Sequence, residues 1–174
     1  MYLGKALFRE GFLRTNLIRR TRPVPSVDYL DPNRRPEQSN IIQPLTIDFE
    51  NPVQKIESVT VTVHDLGLHH KCEGQRIQRT FNYSGDMELF DLKPRRWWFN
   101  YPYATVNERT LTVGIESVQS GEWIERQLDR QVQLLRSFVS AQLDQVREYN
   151  FMLEKERKAT IEYRNSVSFW IRKS

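Results

Sequence analysis

The chain has 174 residues, of which 39% are hydrophobic and 28% charged, and carries a net charge of +4. That length allows one domain with a real core plus an extension, at an ordinary soluble composition. No apolar run approaches the roughly 18–20 residues that cross a bilayer as a helix. The single cysteine, Cys72, excludes an internal disulfide framework and fits a reducing compartment.

The charge is concentrated at the start. Residues 1–22 hold six basic side chains against one acid, or +5, and the remaining twenty bases and twenty-one acids give −1. A balanced body does not coat nucleic acid over its whole surface. Within 1–22, Leu, Phe and Ile alternate with arginine, which predicts a basic amphipathic segment. Three readings fit that pattern: a mitochondrial targeting peptide, a short helix docked on a partner, or a surface helix packed on its own domain.

Residues 23–52 follow as a proline-rich arm with Pro23, Pro25, Pro32, Pro36, Pro44 and Pro52. Proline removes backbone donors and blocks helix, so an extended connection is expected, running along a surface or serving as a linker.

Residues 53–118 carry strand patterns. Val59, Val61 and Val63 alternate with polar residues, and Leu111, Val113 and Ile115 do the same. Arg76–Tyr83, Met87–Leu92 and Ala104–Val106 are further candidates, separated by turn residues at Gly74, Ser84–Asp86 and Asn107. The expected β domain is a small antiparallel sheet or sandwich.

Residues 119–174 predict helix. Ser120 is placed to cap it, and Ile124, Leu128, Val132, Leu135, Val139, Leu143, Val146, Tyr149 and Leu153 recur at spacings of three and four. The charged run from Glu154 to Lys158 interrupts this stripe, which resumes at Ile161, Val167, Trp170 and Ile171. No glycine or proline lies between Glu122 and Ser174. A rod of that length reaches about 75 Å at 1.5 Å per residue, more than a domain of this size buries. The helix is therefore expected either to break near Asn150 or to project and pair with another chain. The fold class is α+β, a small antiparallel sheet or sandwich followed by a long amphipathic C-terminal helix.

No motif for catalysis emerges. His64, His69, His70 and Cys72 cluster within nine residues, but their spacing is a poor match to a four-ligand zinc site, and a polar loop between strands accounts for them. Glu156-Arg157-Lys158 has the local spelling of a nuclease acid-x-lysine pair, yet on a helix those side chains diverge and a solvated face accounts for them. The glycines are scattered singly, so no phosphate loop exists.

The segment from Phe81 to Tyr103 packs eight aromatic residues around a Ser-Gly-Asp turn and an Arg-Arg-Trp-Trp cluster. Arg95, Arg96, Trp97, Trp98, Phe99, Tyr101 and Tyr103 have three uses in order of preference. They suit a seam between sheet and helix, then a protein interface, then a nucleic-acid surface, which two arginines alone serve poorly. The interface expected from the sequence comprises Arg95, Arg96, Trp97, Trp98 and Tyr101 with Trp123, Leu135, Val146 and Trp170 of the helix.

Three pieces carry a resemblance. Phe81–Phe90 contains Gly85-Asp86-x-Glu88-Leu89, with Pro94 beyond. Asn100-Tyr101-Pro102 precedes Val106 and the strand at Leu111–Ile115. The helix then holds Val146, Tyr149-Asn150, Leu153, Arg157-Lys158-Ala159 and Arg164-Asn165-Ser166-Val167. In this order they resemble a family of bacterial proteins in which a module of strands plus a long helix precedes a restriction-endonuclease-like domain. Such proteins are expected in antiphage defence. The resemblance covers residues 56–170 and stops where the nuclease would begin, so it carries over no catalytic residue. It implies a cytoplasmic, non-enzymatic accessory subunit of a bacterial defence complex. That subunit would act without a cofactor on a separately encoded effector, through protein contacts or self-association along the helix. The alternative is an accessory subunit of a large mitochondrial assembly, a ribosome or respiratory complex, for which the basic start and proline-rich arm would speak.

Overall fold

The computed structural model describes residues 1–9, 41–65, 68–95 and 100–171, with side chains for all of these except 64, 65 and 164–171. The fold is α+β. Six strands, β1 (Lys5–Ala6), β2 (Thr46–Ile47), β3 (Val53–Asp65), β4 (Leu68–Ser84), β5 (Tyr103–Val106) and β6 (Thr110–Ser117), form one antiparallel sheet. A single helix, α1 (Gly121–Ile171), follows. Of the two expected β architectures, the sheet is the one formed.

The strand order is β1-β5-β6-β4, with β2 and β3 lying end to end along the far edge of β4. Residues 48–52 make a jog between β2 and β3, opposite only Phe81 and Asn82. Asp48 shapes it by accepting from the Glu50 N–H at 3.2 Å and from the Asn51 amide, and Pro52 closes it. The jog turns Phe49 onto Phe81, ring centroids 5.5 Å apart, with the Arg136 guanidinium 4.5 Å above the Phe49 ring.

Alternation gives the sheet two unlike faces. Ile77, Phe81, Tyr83, Leu111, Val113 and Ile115 point toward α1 and are buried. The opposite face carries Thr80 bonded to Thr112 and the row Glu57–Arg76–Glu116, in register across β3, β4 and β6. One covered and one solvated face is the usual economy of an antiparallel sheet.

The stripe of α1 supplies the other half of the core. Ser120 caps the helix through its side-chain oxygen, which accepts from the Trp123 N–H at 3.3 Å. Ile124, Leu128, Val132, Leu135, Phe138, Val139, Val146, Tyr149 and Leu153 are then buried in helical phase. The expected stripe is corrected at one point: Leu143 is half-buried and Gln142 takes the inner place at 1% exposure. Its amide nitrogen donates to the carbonyls of Leu89, at 2.7 Å, and Leu92, bonds that the apolar chain of a leucine could not make. Those carbonyls belong to a 3-10 turn at Met87–Phe90 and its exit, so this segment, expected as a strand, is corrected to a helical turn. Leu89 and Phe90 both face inward from it.

The helix runs unbroken through Asn150. Of the two outcomes expected there, the break is absent and the helix projects. It simply leaves the sheet behind.

The N-terminal residues are corrected too. Residues 1–9 form an extended edge, with β1 paired to β5 and residues 1–3 paired to the stretch of β6 that β5 leaves open. Gly4, at φ +85°, makes the step from one neighbour to the other. A Cβ there would stand 2.3 Å from the carbonyl carbon of Ala104. Leu7 and Phe8 are wholly buried, Phe8 between Phe90 and Phe138 at ring distances of 6.0 and 5.1 Å. Phe8 has φ +57°, an uncommon state for a side chain of its size, held by that packing. Leu7 and Phe8 therefore belong to the core, carried there by a bend after a short edge strand and not by a helix. Residues 10–22 of the expected basic segment, and 23–40 of the arm, lie outside the described residues.

Candidate functional site

Two projections leave the sheet at opposite ends. The first is the β3–β4 hairpin. The ladder between its strands runs from Val53↔Thr80 to Asp65↔Leu68, but β6 accompanies β4 only over Gln75–Asn82. Residues 59–65 and 68–74 therefore stand out as a two-stranded arm. Its length is about 24 Å at 3.4 Å per residue. Val59, Val61 and Val63 share a face with Gly74, Cys72 and His70, their register partners. This face lies opposite the one α1 covers, so the valine alternation is not part of the main core. His69 and His70 are exposed positions within β4, which corrects the polar loop expected there. The ladder persists because the alternating valines and threonines of β3 continue to pair. The side chain of His64 lies outside the described residues. Among the described residues, no group of three or more His, Cys, Asp or Glu side chains is arranged to hold a metal ion.

The second projection is the end of α1. Leu153 is the last buried side chain among the described residues, and the helix continues to Ile171. Those eighteen residues extend it by about 27 Å. Apolar side chains stand exposed around this outer half: Phe151, at 67%, with Met152, Ile161 and Tyr163, the last at 70%. Lys158 and Glu154 pair at 3.4 Å, one turn apart, and hold the charged run in helix. No helix among the described residues is long and apolar enough to cross a membrane.

Between the projections, charge fixes α1 to the sheet. Arg79 of β4 donates to Glu125 and Asp129 of the helix, each at 2.5 Å, and Gln54 of β3 joins through Glu125 at 2.7 Å. Burial penalises the Arg79 cation, yet the bonds to Asp129 and Glu125 outweigh that and raise its pKa above the usual guanidinium value. At the far end, Gly85 and Asp86 seat the proline-rich arm. Gly85 has φ +107°, and a Cβ there would meet the Pro44 carbonyl oxygen at 2.3 Å. Asp86 exchanges bonds with Gln43, its N–H donating at 2.9 Å and its carboxylate accepting at 3.1 Å. The Gly85-Asp86 pair thus has a structural task.

The residues expected at an interface are dispersed. Arg95 is exposed, and Arg96, Trp97 and Trp98 lie outside the described residues. Tyr101 is half-buried in the seam, its ring 6.0 Å from Phe138 of α1. Trp123 is about one-third exposed in the first turn. Leu135 and Val146 are 0% and 1% exposed within the protein's own core, so they are corrected from interface to core. The side chain of Trp170 lies outside the described residues.

The exposed apolar set at Phe151 and Met152 escaped the sequence reading, though a signal exists. Phe151 stands two residues from both Tyr149 and Leu153, which places it across the helix from the buried stripe. Comparison of the chain with family models, curated proteins and solved structures found no match.

Proposed function

We propose that this protein is a non-catalytic assembly subunit, whose sheet serves as a base and whose helix reaches out to a protein partner. One observation carries the reading: among the described side chains, burial along α1 ends at Leu153, while the helix continues to Ile171. An isolated helix of this length gains little stability from propensity alone, and stable helices ordinarily bury an apolar face. Phe151, Met152, Ile161 and Tyr163 supply apolar surface of the kind that anchors protein interfaces. The polar side chains of the sheet's open face are engaged with one another instead of converging on a cleft, as in Glu57–Arg76–Glu116.

The resemblance at Gly85-Asp86 would make the partner a separately encoded effector of a bacterial defence complex. Purification of the tagged full chain from its own cells tests the reading. A co-purifying nuclease or ATPase supports the defence setting, mitochondrial ribosomal or respiratory subunits support the alternative setting, and turnover by the purified chain alone overturns a non-catalytic role.

A further inference from the structure

The outer edge of the sheet carries an inference independent of the helix. β3 is a thirteen-residue strand with no proline or glycine within it. Among the described residues, its outer backbone edge has no partner beside it. Such an edge is a template for another strand. Along it, Val53 is 70% exposed and Ile56 57% exposed, although both belong to a strand rich in valine. Lys55 and Glu57 flank Ile56 and share one face of the strand, their side chains 2.7 Å apart. The neighbouring lysine, and secondarily Arg76, hold the Glu57 carboxyl below its ordinary pKa, so it is charged at neutral pH.

We propose that β3 pairs antiparallel with β3 of a second copy of this chain, about a two-fold axis through Ile56. This register places Ile56 against its symmetry mate, Lys55 against Glu57 of the second copy, Glu57 against Lys55, and Val53 against Val59. Directly opposed residues in an antiparallel pair share a face, so both charge pairs are complementary and the exposed valine gains an apolar neighbour. Shifting the axis by one residue either way sets Lys55 against Lys55 or Glu57 against Glu57. Shifting it by two or three residues toward the arm leaves both charges opposite valines. A lone lysine on an edge deters pairing. Here the glutamate two residues on makes the edge self-complementary. Pro52, which has no N–H to donate, falls opposite Thr60 and ends the new ladder after seven residues. The two sheets then merge into one, with both helices on the same face.

Sedimentation of the full chain at micromolar concentration tests this with charge reversal. The unaltered protein is expected as a dimer. Lys55→Glu and Glu57→Lys are each expected to weaken it by about tenfold or more, since each sets like charges directly opposite. The double reversal, Lys55→Glu with Glu57→Lys, is expected to restore it. Independently, Ile56→Cys on a Cys72→Ser background is expected to give a disulfide-linked dimer, because Cα atoms opposed across strands lie about 4.5–5.5 Å apart. Thr62→Cys, which this register sets opposite the jog, is expected not to. A monomeric unaltered chain overturns the proposal. So does a dimer indifferent to single reversal, or linkage of Ile56→Cys to another segment of its own chain or to a different protein.

Discussion

The side-chain amide of Asn150 grips the backbone of Ile42, 108 positions earlier in the chain. Its Oδ1 accepts from the Ile42 N–H at 3.1 Å and its Nδ2 donates to the Ile42 carbonyl at 2.8 Å. The contact imitates one rung of a β ladder using a helix side chain, and it ties the entry of β2 to α1. Removing it strands a partly buried N–H and carbonyl together. Asn150→Ala is therefore expected to lower stability by about 1–3 kcal/mol. Hydrogen exchange would localise the change, with faster exchange at Ile42 and through β2 but not at Ile77 or Ile115.

Gly4 makes a second, purely steric prediction. At φ +85° and with Ala104 backbone in the place of a Cβ, no other residue fits without displacement. Gly4→Ala is expected to cost more than about 1 kcal/mol. Loss of protection at the Leu7 and Phe8 amides, with α1 still protected, would show that the edge strand detaches first.

The inner and outer halves of α1 are expected to answer truncation differently. Leu135→Ala opens a cavity at a fully buried site and should cost about 2–5 kcal/mol. Phe151→Ala removes a ring that is 67% exposed, so its effect on unfolding should stay within about 0.5 kcal/mol. Denaturant melts of the two variants check this, and a large loss for Phe151→Ala would mean that the ring is covered within the protein's own fold.

Arg79 holds Glu125 and Asp129 from a site where its side chain is 18% exposed. Arg79→Leu removes the cation from both carboxylates, leaving Glu125 only the Gln54 amide and Asp129 its solvent, and is expected to cost about 1 kcal/mol. Glu125→Gln with Asp129→Asn in the same background should recover part of that loss. Additive destabilisation would contradict the pairing.

How far the sequence reports this fold depends on which force acts. Val59, Val61, Val63, Leu111, Val113 and Ile115 announce strands by alternation, and Ile124 to Leu153 announce a helix by period. The face that each strand buries does not follow, since alternation is blind to which side α1 lies on. The valines of β3 accordingly face away from it. Met87–Phe90 misleads because Met87 and Leu89 alternate with Glu88 as in a strand, although Met87 is exposed and the buried pair is Leu89 and Phe90. Residues 1–8 escape because a short edge strand depends on its neighbours' open backbone, not on its own pattern. Leu135 and Val146 belong to the same stripe whether a sheet or a partner covers it, and only the tertiary structure decides.

Tyr83 gives the pH dependence. It lies 8% exposed, donates to the Asn107 carbonyl at 2.6 Å and meets the Phe90 ring edge-on at 4.9 Å. Burial first, and the charge of Glu108 second, raise its phenol above the ordinary 10.0. The folded state thus keeps a proton that the unfolded chain has already lost. The stability involved is whole below pH 10 and disappears as pH rises through the folded value. Tyr83→Phe is expected to flatten the alkaline limb of the stability curve, measured by denaturant melts at successive pH values.

On the proposed function, another protein covers the outer half of α1. The most direct measurement is a paired purification of the full chain and of a variant bearing Phe151→Asp, Met152→Asp, Ile161→Asp and Tyr163→Asp, each quantified against its co-purifying chains. A stoichiometric partner is expected with the unaltered protein and is expected to be lost from the variant, at an unchanged melting temperature of the base. A partner retained in full by the variant would contradict it.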